Sequence, residues 1–114
     1  AEKAPAFYES LQQGDWVALD EGDIIGAGLA ARSVFQLPYV IMKDYIKDVV
    51  LVSDEEILEG IRQALMTTHN LAEGAGAVSI MAALKIKDRL VGKKVALVMS
   101  GGNLDREQLV QALA

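Results

Sequence analysis

A serine and an asparagine flank two glycines in the segment Ser100-Gly101-Gly102-Asn103, which follows an apolar run and precedes a helix-forming stretch. At the carboxyl end of a buried strand, such a short loop exposes backbone groups to a ligand. The glycines let the backbone approach a flat ring closely, and the Ser100 hydroxyl can donate or accept a hydrogen bond. Composition alone favours a tight strand-to-helix turn with an asparagine cap, so both interpretations stay open. The Lys-Ser/Thr ending of a Walker loop is absent.

A carboxylate precedes a run of small residues in Glu73-Gly74-Ala75-Gly76-Ala77. Small side chains permit close packing of a helix on a sheet, and a carboxylate buried there needs polar partners. Simple packing with an acidic residue in the first helical turn explains the pattern as well. By itself this motif does not identify a site.

The single histidine and the lysines have ordinary explanations. His69 falls at the end of a predicted helix, where a polar or cationic residue is commonplace. The lysines lie on amphipathic faces or at a strand start, without the apolar, Gly-rich setting of a desolvated Schiff-base lysine. The positions concerned are Lys43, Lys47, Lys85, Lys87, Lys93 and Lys94.

Composition excludes several classes of function. The chain has 114 residues, a net charge of −5 and no cysteine. Clustered basic residues are needed to bind nucleic-acid backbone, and none are present. Without cysteine there is no disulfide or thiolate chemistry, and one histidine cannot build a multi-histidine metal site. No apolar run is long enough to span a membrane, and we expect a cytoplasmic protein.

The pattern of elements predicts an α/β unit with parallel strands. The buried-type strands are residues 48–52 and 93–99, with a weaker edge strand at 16–19. Ser53 and Glu56 form a predicted capping box that begins a helix directly after the first strong strand. The other predicted helices are residues 4–13 with Gly14 as the stop, 37–46, 75–90 and 105–113. Three strands make a thin sheet, so the chain is expected to be part of something larger.

The order of these segments resembles the C-terminal portion of threonine/serine dehydratases, which are pyridoxal-phosphate (PLP) ammonia-lyases. Nearly the whole chain takes part in the resemblance. The matching segments are Ala4-Pro5-Ala6-Phe7-Tyr8-Glu9-Ser10-Leu11, Asp23-Ile24-Ile25-Gly26-Ala27-Gly28-Leu29-Ala30, Val49 to Ile57, Ala72 to Ala77 and Val95 to Asn103.

The resemblance implies the large PLP domain of fold type II, a three-layer doubly wound sheet with mainly parallel strands that is incomplete here. It implies that Ser100 hydrogen-bonds the pyridine nitrogen, that Gly28 lies by the ring and that Glu73 lies near the ring edge. The cofactor-binding set is then Ser100, Gly101, Gly102, Asn103, Glu73 and Gly28. Ile24 and Ala27 depart from the family's usual Thr and Asp in the loop around Gly28.

The implied reaction is β-elimination from L-threonine or L-serine to a 2-oxo acid and ammonia. Nothing in the chain matches the family's Schiff-base lysine motif or its tetraglycine phosphate loop. We therefore expect residues 1–114 to be the C-terminal part of a PLP-enzyme catalytic domain, with no catalytic residue in this chain and no activity alone. The family's cation-binding glutamate is expected to fall before residue 1, and Ala6 stands where some members place an acid, so no metal residue is expected.

Other interpretations share this pattern. A related PLP enzyme, such as serine racemase or hydroxyaspartate ammonia-lyase, uses the same scaffold, and a non-catalytic fragment with a structural role is the alternative from another class. The expected partners are an amino-acid substrate and a missing N-terminal half or second chain, in a homo-oligomer. Unpaired strands and exposed apolar faces favour such association.

Overall fold

The computed structural model describes residues 1–19, 24–31 and 33–114. Helices dominate this part of the chain. The α-helices are α1 Ala6–Gln13, α2 Gln36–Met42, α3 Asp54–Thr68, α4 Gly74–Lys85 and α5 Arg106–Leu113, with short 3-10 helices at Ala27–Leu29 and Lys87–Leu90.

Helix ends follow the local signals in the sequence. Gly14 ends α1 with φ 74°, a left-handed conformation that glycine adopts without a steric penalty. The Ser53 hydroxyl accepts a hydrogen bond from the Glu56 backbone N–H, and the Glu56 carboxylate accepts one from the Ser53 N–H at 2.8 Å. The predicted capping box of α3 is thereby confirmed.

The two strong strands of the sequence prediction are not paired into a sheet within the ranges that the structure describes. The one β-bridge found there is antiparallel and joins Ala18 to Ser33. Residues 93–99 are exposed throughout, and Val98 reaches 74 % exposure. The prediction of paired strands within this chain was wrong because a parallel sheet needs neighbouring strands and two covered faces.

The larger core lies between α3 and α4 and extends to α5. Ile57 and Ile61 are fully buried on one face of α3, and burial of each stabilises the fold by about 2 kcal/mol. Gly60 on the same helix allows α4 to approach, since a Cβ there would lie 3.0 Å from the Ala77 carbonyl oxygen. The cluster consists of Val52, Ile57, Ile61, Ala64, Ala72, Ala77 and Ala112.

A smaller core joins α1 to α2 and contains Ala6, Val34 and Tyr39. Ser10 is fully buried beside it, and its hydroxyl donates to the Ala6 carbonyl at 2.6 Å and accepts from the Val17 N–H at 2.9 Å. The Tyr39 hydroxyl donates to the Ser10 carbonyl at 3.2 Å. Each of these buried polar groups has a partner, which buried polar atoms require.

The outline is flat, with extents of 39 × 38 × 19 Å. An α-helix with its side chains is about 10 Å across, so the thin dimension accommodates two layers. A doubly wound domain needs helices on both faces of a sheet. The described residues therefore form an incomplete set of layers.

Candidate functional site

The segment Ser100-Gly101-Gly102-Asn103 passes the N-terminus of α4 and leads into α5. Ser100 is exposed, whereas Gly101 is half-buried. The Leu104 N–H donates to the Gly102 carbonyl at 2.9 Å, which closes a three-residue turn at residues 102–104. The N-cap of α5 is Asp105 rather than Asn103, because the Asp105 carboxylate accepts the Gln108 N–H at 2.7 Å.

Glu73 is the N-cap residue of α4 and is half-buried. Its backbone N–H donates to the Gly101 carbonyl at 3.1 Å. Its carboxylate lies against the Cα of Gly101, where any added Cβ would collide with it. The second motif of the sequence and the loop that follows residue 99 are therefore in direct contact.

Gly28, which is distant in sequence from Glu73, also lies next to the start of α4. It lies in the 3-10 helix Ala27–Leu29, and a Cβ on it would meet the Ala75 Cβ at 3.0 Å. Gly28, Glu73 and Asn103 line one cavity of about 150 Å³. The structure thus brings together three of the predicted site residues, while Ser100, Gly101 and Gly102 are not part of the lining.

The lining also contains two residues that the sequence did not single out. These are Asp105, the N-cap of α5, and Gln108 in its first turn, and they line the cavity together with Ile25 and Ala75. Asp105 followed three residues later by Gln108 is a pattern typical of a helix start. The sequence therefore indicated a capping role for Asp105 and gave no sign that it lines a cavity. Contact between the start of α5 and the loop around Gly28 is non-local and has no signal in one sequence.

A second, larger cavity of about 340 Å³ adjoins the first and shares Ile25, Asp105 and Gln108 with it. Asp54 lines its inner side and is paired with the Lys3 ammonium at 2.5 Å. The Asp54 carboxylate also accepts the Ile25 N–H at 3.5 Å. These bonds tie the start of α3 to the loop that carries Gly28.

His69 and the lysines lie on the surface of the described part of the chain. His69 is exposed and ends α3 in the left-handed region at φ 59°, with its N–H donating to the Leu65 carbonyl at 3.0 Å. Each lysine named above is exposed. The lysines other than Lys85 have positions typical of solvated charge, and His69 has one typical of a helix terminus.

Lys85 has a structural role on the opposite side of α4. Its ammonium donates to the Leu51 carbonyl and to the Glu56 carboxylate, both at 2.8 Å. The hydrogen bond from Lys85 lowers the pKa of Glu56 and, in turn, raises the pKa of Lys85. These hydrogen bonds of Lys85 join the end of the predicted strand at residues 48–52 to helices α3 and α4.

Neither a membrane span nor a metal cluster is found in the part of the chain that the structure describes. None of its helices is long and apolar enough to cross a membrane. Within the same ranges, no group of three or more His, Cys, Asp or Glu side chains could hold a metal ion.

Comparison with known proteins identifies a family for most of the chain. Residues 1–101 match the protein family described as pyridoxal-phosphate dependent enzyme. An L-threonine ammonia-lyase of Thermotoga maritima is 36 % identical over 91 % of this chain and 26 % of the relative. A biosynthetic L-threonine dehydratase of Halalkalibacterium halodurans is 38 % identical over 90 % of this chain and 25 % of the relative. The chain spans about a quarter of the length of these curated relatives.

Solved structures give the same result for the fold. A threonine deaminase from T.th. superposes with a TM-score of 0.84 at 28 % identity, covering 91 % of this chain and 35 % of that chain. Threonine deaminase isoform 2 from Solanum lycopersicum gives 0.87 at 26 % identity, covering 97 % and 31 %. The expected fold class, an incomplete portion of an α/β fold type II enzyme, is confirmed.

Proposed function

Because this chain belongs to the family of pyridoxal-phosphate dependent enzymes, we propose that it forms the C-terminal part of the catalytic domain of an L-threonine or L-serine ammonia-lyase. The complete enzyme eliminates water from the hydroxy amino acid and releases a 2-oxo acid and ammonia. Support comes from relatives named L-threonine ammonia-lyase and L-threonine dehydratase. The observation that carries the proposal is the convergence of Gly28, Glu73 and Asn103 on one cavity.

The residues present fit the ring side of the coenzyme. Gly28 contributes no side chain to the cavity lining, which Glu73 and Asn103 also form. Glycine at such positions lets a flat ring lie close to the backbone. These residues would form one wall of the coenzyme site. The phosphate group would have to be held elsewhere, since the sequence of this chain contains no phosphate-binding glycine loop.

Ser100 would contact the pyridine nitrogen. Its hydroxyl is exposed on a backbone held at Gly101 by the Glu73 N–H. Pyridoxal phosphate, when bound, supplies an electron sink for the bonds at the amino acid's Cα. A neutral hydroxyl does not hold a proton on the ring nitrogen as a carboxylate does, so Ser100 keeps that sink moderate. Moderate withdrawal suits β-elimination.

Glu73 would lie at the ring edge and orient the coenzyme against α4. Its own backbone is fixed as the N-cap of that helix. An anionic group at this place is also favoured by the helix dipole. Gly101 and Gly102, which are outside the lining, would support Asn103 on the cavity wall.

The chain alone is proposed to be inactive, because a lysine and a phosphate cradle must come from elsewhere. The complementary part is a missing N-terminal half or a second polypeptide, and the exposed residues 93–99 are where its strands would pair. We also propose that the complete enzyme is a homo-oligomer. Light scattering tests the association, and a monodisperse monomer at moderate concentration would contradict it.

A related activity, amino-acid racemisation, is supported by a relative with another name. Serine racemase of Schizosaccharomyces pombe is 27 % identical over 93 % of this chain. Assay of the complete enzyme for ammonia release and for D-serine separates the two activities. If the complete enzyme folds but shows neither activity, a structural role is indicated instead.

Ser100→Ala in the complete enzyme tests the site. We expect activity on L-threonine or L-serine to fall roughly tenfold or more, the loss of one hydrogen bond to the coenzyme ring. Lys43→Ala is the control, because Lys43 is exposed in α2's C-terminal turn. Equal effects of the two substitutions would remove the case for ring contact.

A second experiment tests the isolated chain. Pyridoxal phosphate added to it should give no coenzyme absorbance band beyond that of the free compound. A borohydride-trapped adduct at one defined lysine would overturn the proposed inactivity.

A further inference from the structure

Three contacts lie along one face of α4, at residues 73, 76 and 79, and each is made with residues 98–101. The Glu73 N–H donates to the Gly101 carbonyl at 3.1 Å. A Cβ on Gly76 would lie 2.5 Å from the same carbonyl oxygen and 3.2 Å from the Gly101 nitrogen. The Ser79 hydroxyl donates to the Val98 carbonyl at 3.0 Å. A spacing of three residues places these groups in one row along the helix.

These contacts lie on both sides of Ser100. Val98 is two residues before it and Gly101 is the residue after it, and both carbonyls meet α4. Residues 93–99 are exposed and have no strand partner within the described ranges. Contacts with α4 are therefore a main constraint on the backbone that carries Ser100.

We infer that the α4 face formed by Glu73, Gly76 and Ser79 sets the register of residues 98–101, and that Gly76 and Ser79 are positioning residues for Ser100. The inference rests on the proposed contact of Ser100 with the coenzyme. Gly76 acts by having no side chain, since the Gly101 carbonyl occupies the place of a Cβ. Ser79 acts by fixing the Val98 carbonyl.

Substitutions at these positions separate positioning from helix stability. Alanine is a better helix former than glycine, so Gly76→Ala improves the local helix while forcing the Gly101 backbone away. Ser79→Ala removes one hydrogen bond from a partly exposed side chain, and the protein is expected to fold. Ser79→Thr keeps the hydroxyl and should restore wild-type behaviour.

The matched control is Gly60→Ala. Its Cβ would meet the Ala77 carbonyl oxygen and the Met81 side chain, both at 3.0 Å, on the α3 side of α4. It therefore crowds the same helix without contact with Gly101. Any general effect of disturbed α4 packing appears in this variant too.

The experiment measures two quantities in the complete enzyme: amide hydrogen exchange at Glu73 without coenzyme, and the Kd for pyridoxal phosphate. Because the Glu73 N–H donates to Gly101, its exchange reports the contact directly. Gly76→Ala and Ser79→Ala should accelerate exchange at Glu73 and raise the Kd roughly fivefold, the worth of one hydrogen bond. Gly60→Ala and Ser79→Thr should leave both quantities near the wild-type values.

Two contrary results are distinguishable by measuring Ser100→Ala in parallel. If Ser100→Ala raises the Kd but Gly76→Ala and Ser79→Ala do not differ from Gly60→Ala, the positioning inference is overturned alone. If Ser100→Ala leaves both Kd and activity unchanged, the proposed ring contact fails and the inference fails with it.

Discussion

The backbone N–H of Glu73 donates a 3.1 Å hydrogen bond to the carbonyl of Gly101, and the Glu73 carboxylate lies against the Cα of the same glycine. Two motifs that are nearly thirty residues apart in sequence are thereby joined through backbone and side chain together. A side chain at residue 101 would have to displace the Glu73 carboxylate. The sensitivity of this junction to substitution can be measured.

In the complete enzyme, Gly101→Ala should lower stability by about 1 kcal/mol or less, because the added methyl group meets the movable end of the Glu73 side chain. The methyl group must displace the Glu73 carboxylate, and coenzyme binding should be the more sensitive quantity. Chemical denaturation gives the free energy of unfolding, and coenzyme titration should show weaker binding. Gly14→Ala is the control, because its Cβ meets nothing within 4 Å although its φ is 74°. We expect Gly14→Ala to lose stability but to keep its affinity for the coenzyme. An equal loss of coenzyme affinity in Gly14→Ala and Gly101→Ala would contradict the prediction.

Ser53→Ala should cost about 1 kcal/mol of stability through loss of the α3 cap. The hydroxyl satisfies the Glu56 N–H, and removing it leaves that donor without its capping acceptor. Ser53→Asp retains an acceptor oxygen and should cost little. Urea denaturation of the two variants checks the difference, and equal losses would show that the hydroxyl does not act as a cap.

Stability should fall as the pH drops below 4.5, the ordinary pKa of Glu56. The Lys85 hydrogen bond lowers the folded-state pKa of Glu56, so the ionised carboxylate favours the folded state above pH 4.5. That contribution is lost as the pH falls through the lower, folded-state pKa. Lys85→Gln should flatten this part of the stability profile.

The control for this profile is Lys94→Gln, since Lys94 is an exposed lysine away from Glu56. Unfolding free energies measured between pH 6 and pH 3 would give the comparison. A slope unchanged by Lys85→Gln would show that other carboxylates govern acid sensitivity.

His69→Gly should raise stability by roughly 0.5–1 kcal/mol and leave activity unchanged. His69 is the non-glycine residue with positive φ among those described, and glycine removes the clash of its Cβ. His69→Val, with a branched side chain at the same φ, should destabilise. A loss of activity in a stable His69→Gly enzyme would reveal a chemical role for the imidazole.

Local features were predictable from the sequence because their causes are local. Ser53 with Glu56, and Gly14 after an apolar face, each specify a helix boundary within a few residues. Helix α4 was predicted to reach residue 90, but it ends at Lys85 and is followed by the 3-10 helix Lys87–Leu90. Ile86, at φ −109° and ψ 19°, interrupts the regular dihedrals between them.

Non-local features were not predictable in the same way. Pairing of the apolar runs at 48–52 and 93–99 depends on strands that the described residues do not supply. The approach of Gly76 to Gly101 and the arrival of Asp105 beside Gly28 depend on tertiary packing. The resemblance of the segments to a known family, and not their composition, pointed to Ser100, Glu73 and Gly28 as one site.

The exposure of residues 93–99 has a thermodynamic consequence for the proposed enzyme. Ser100 directly follows this segment, so strand pairing and coenzyme binding act on the same piece of backbone. If pairing of the strands tightens coenzyme binding by some factor, coenzyme binding tightens strand pairing by the same factor. Saturating coenzyme should therefore lower the dissociation constant between this chain and its complementary part. That dissociation constant then becomes a measure of how fully the coenzyme site is occupied.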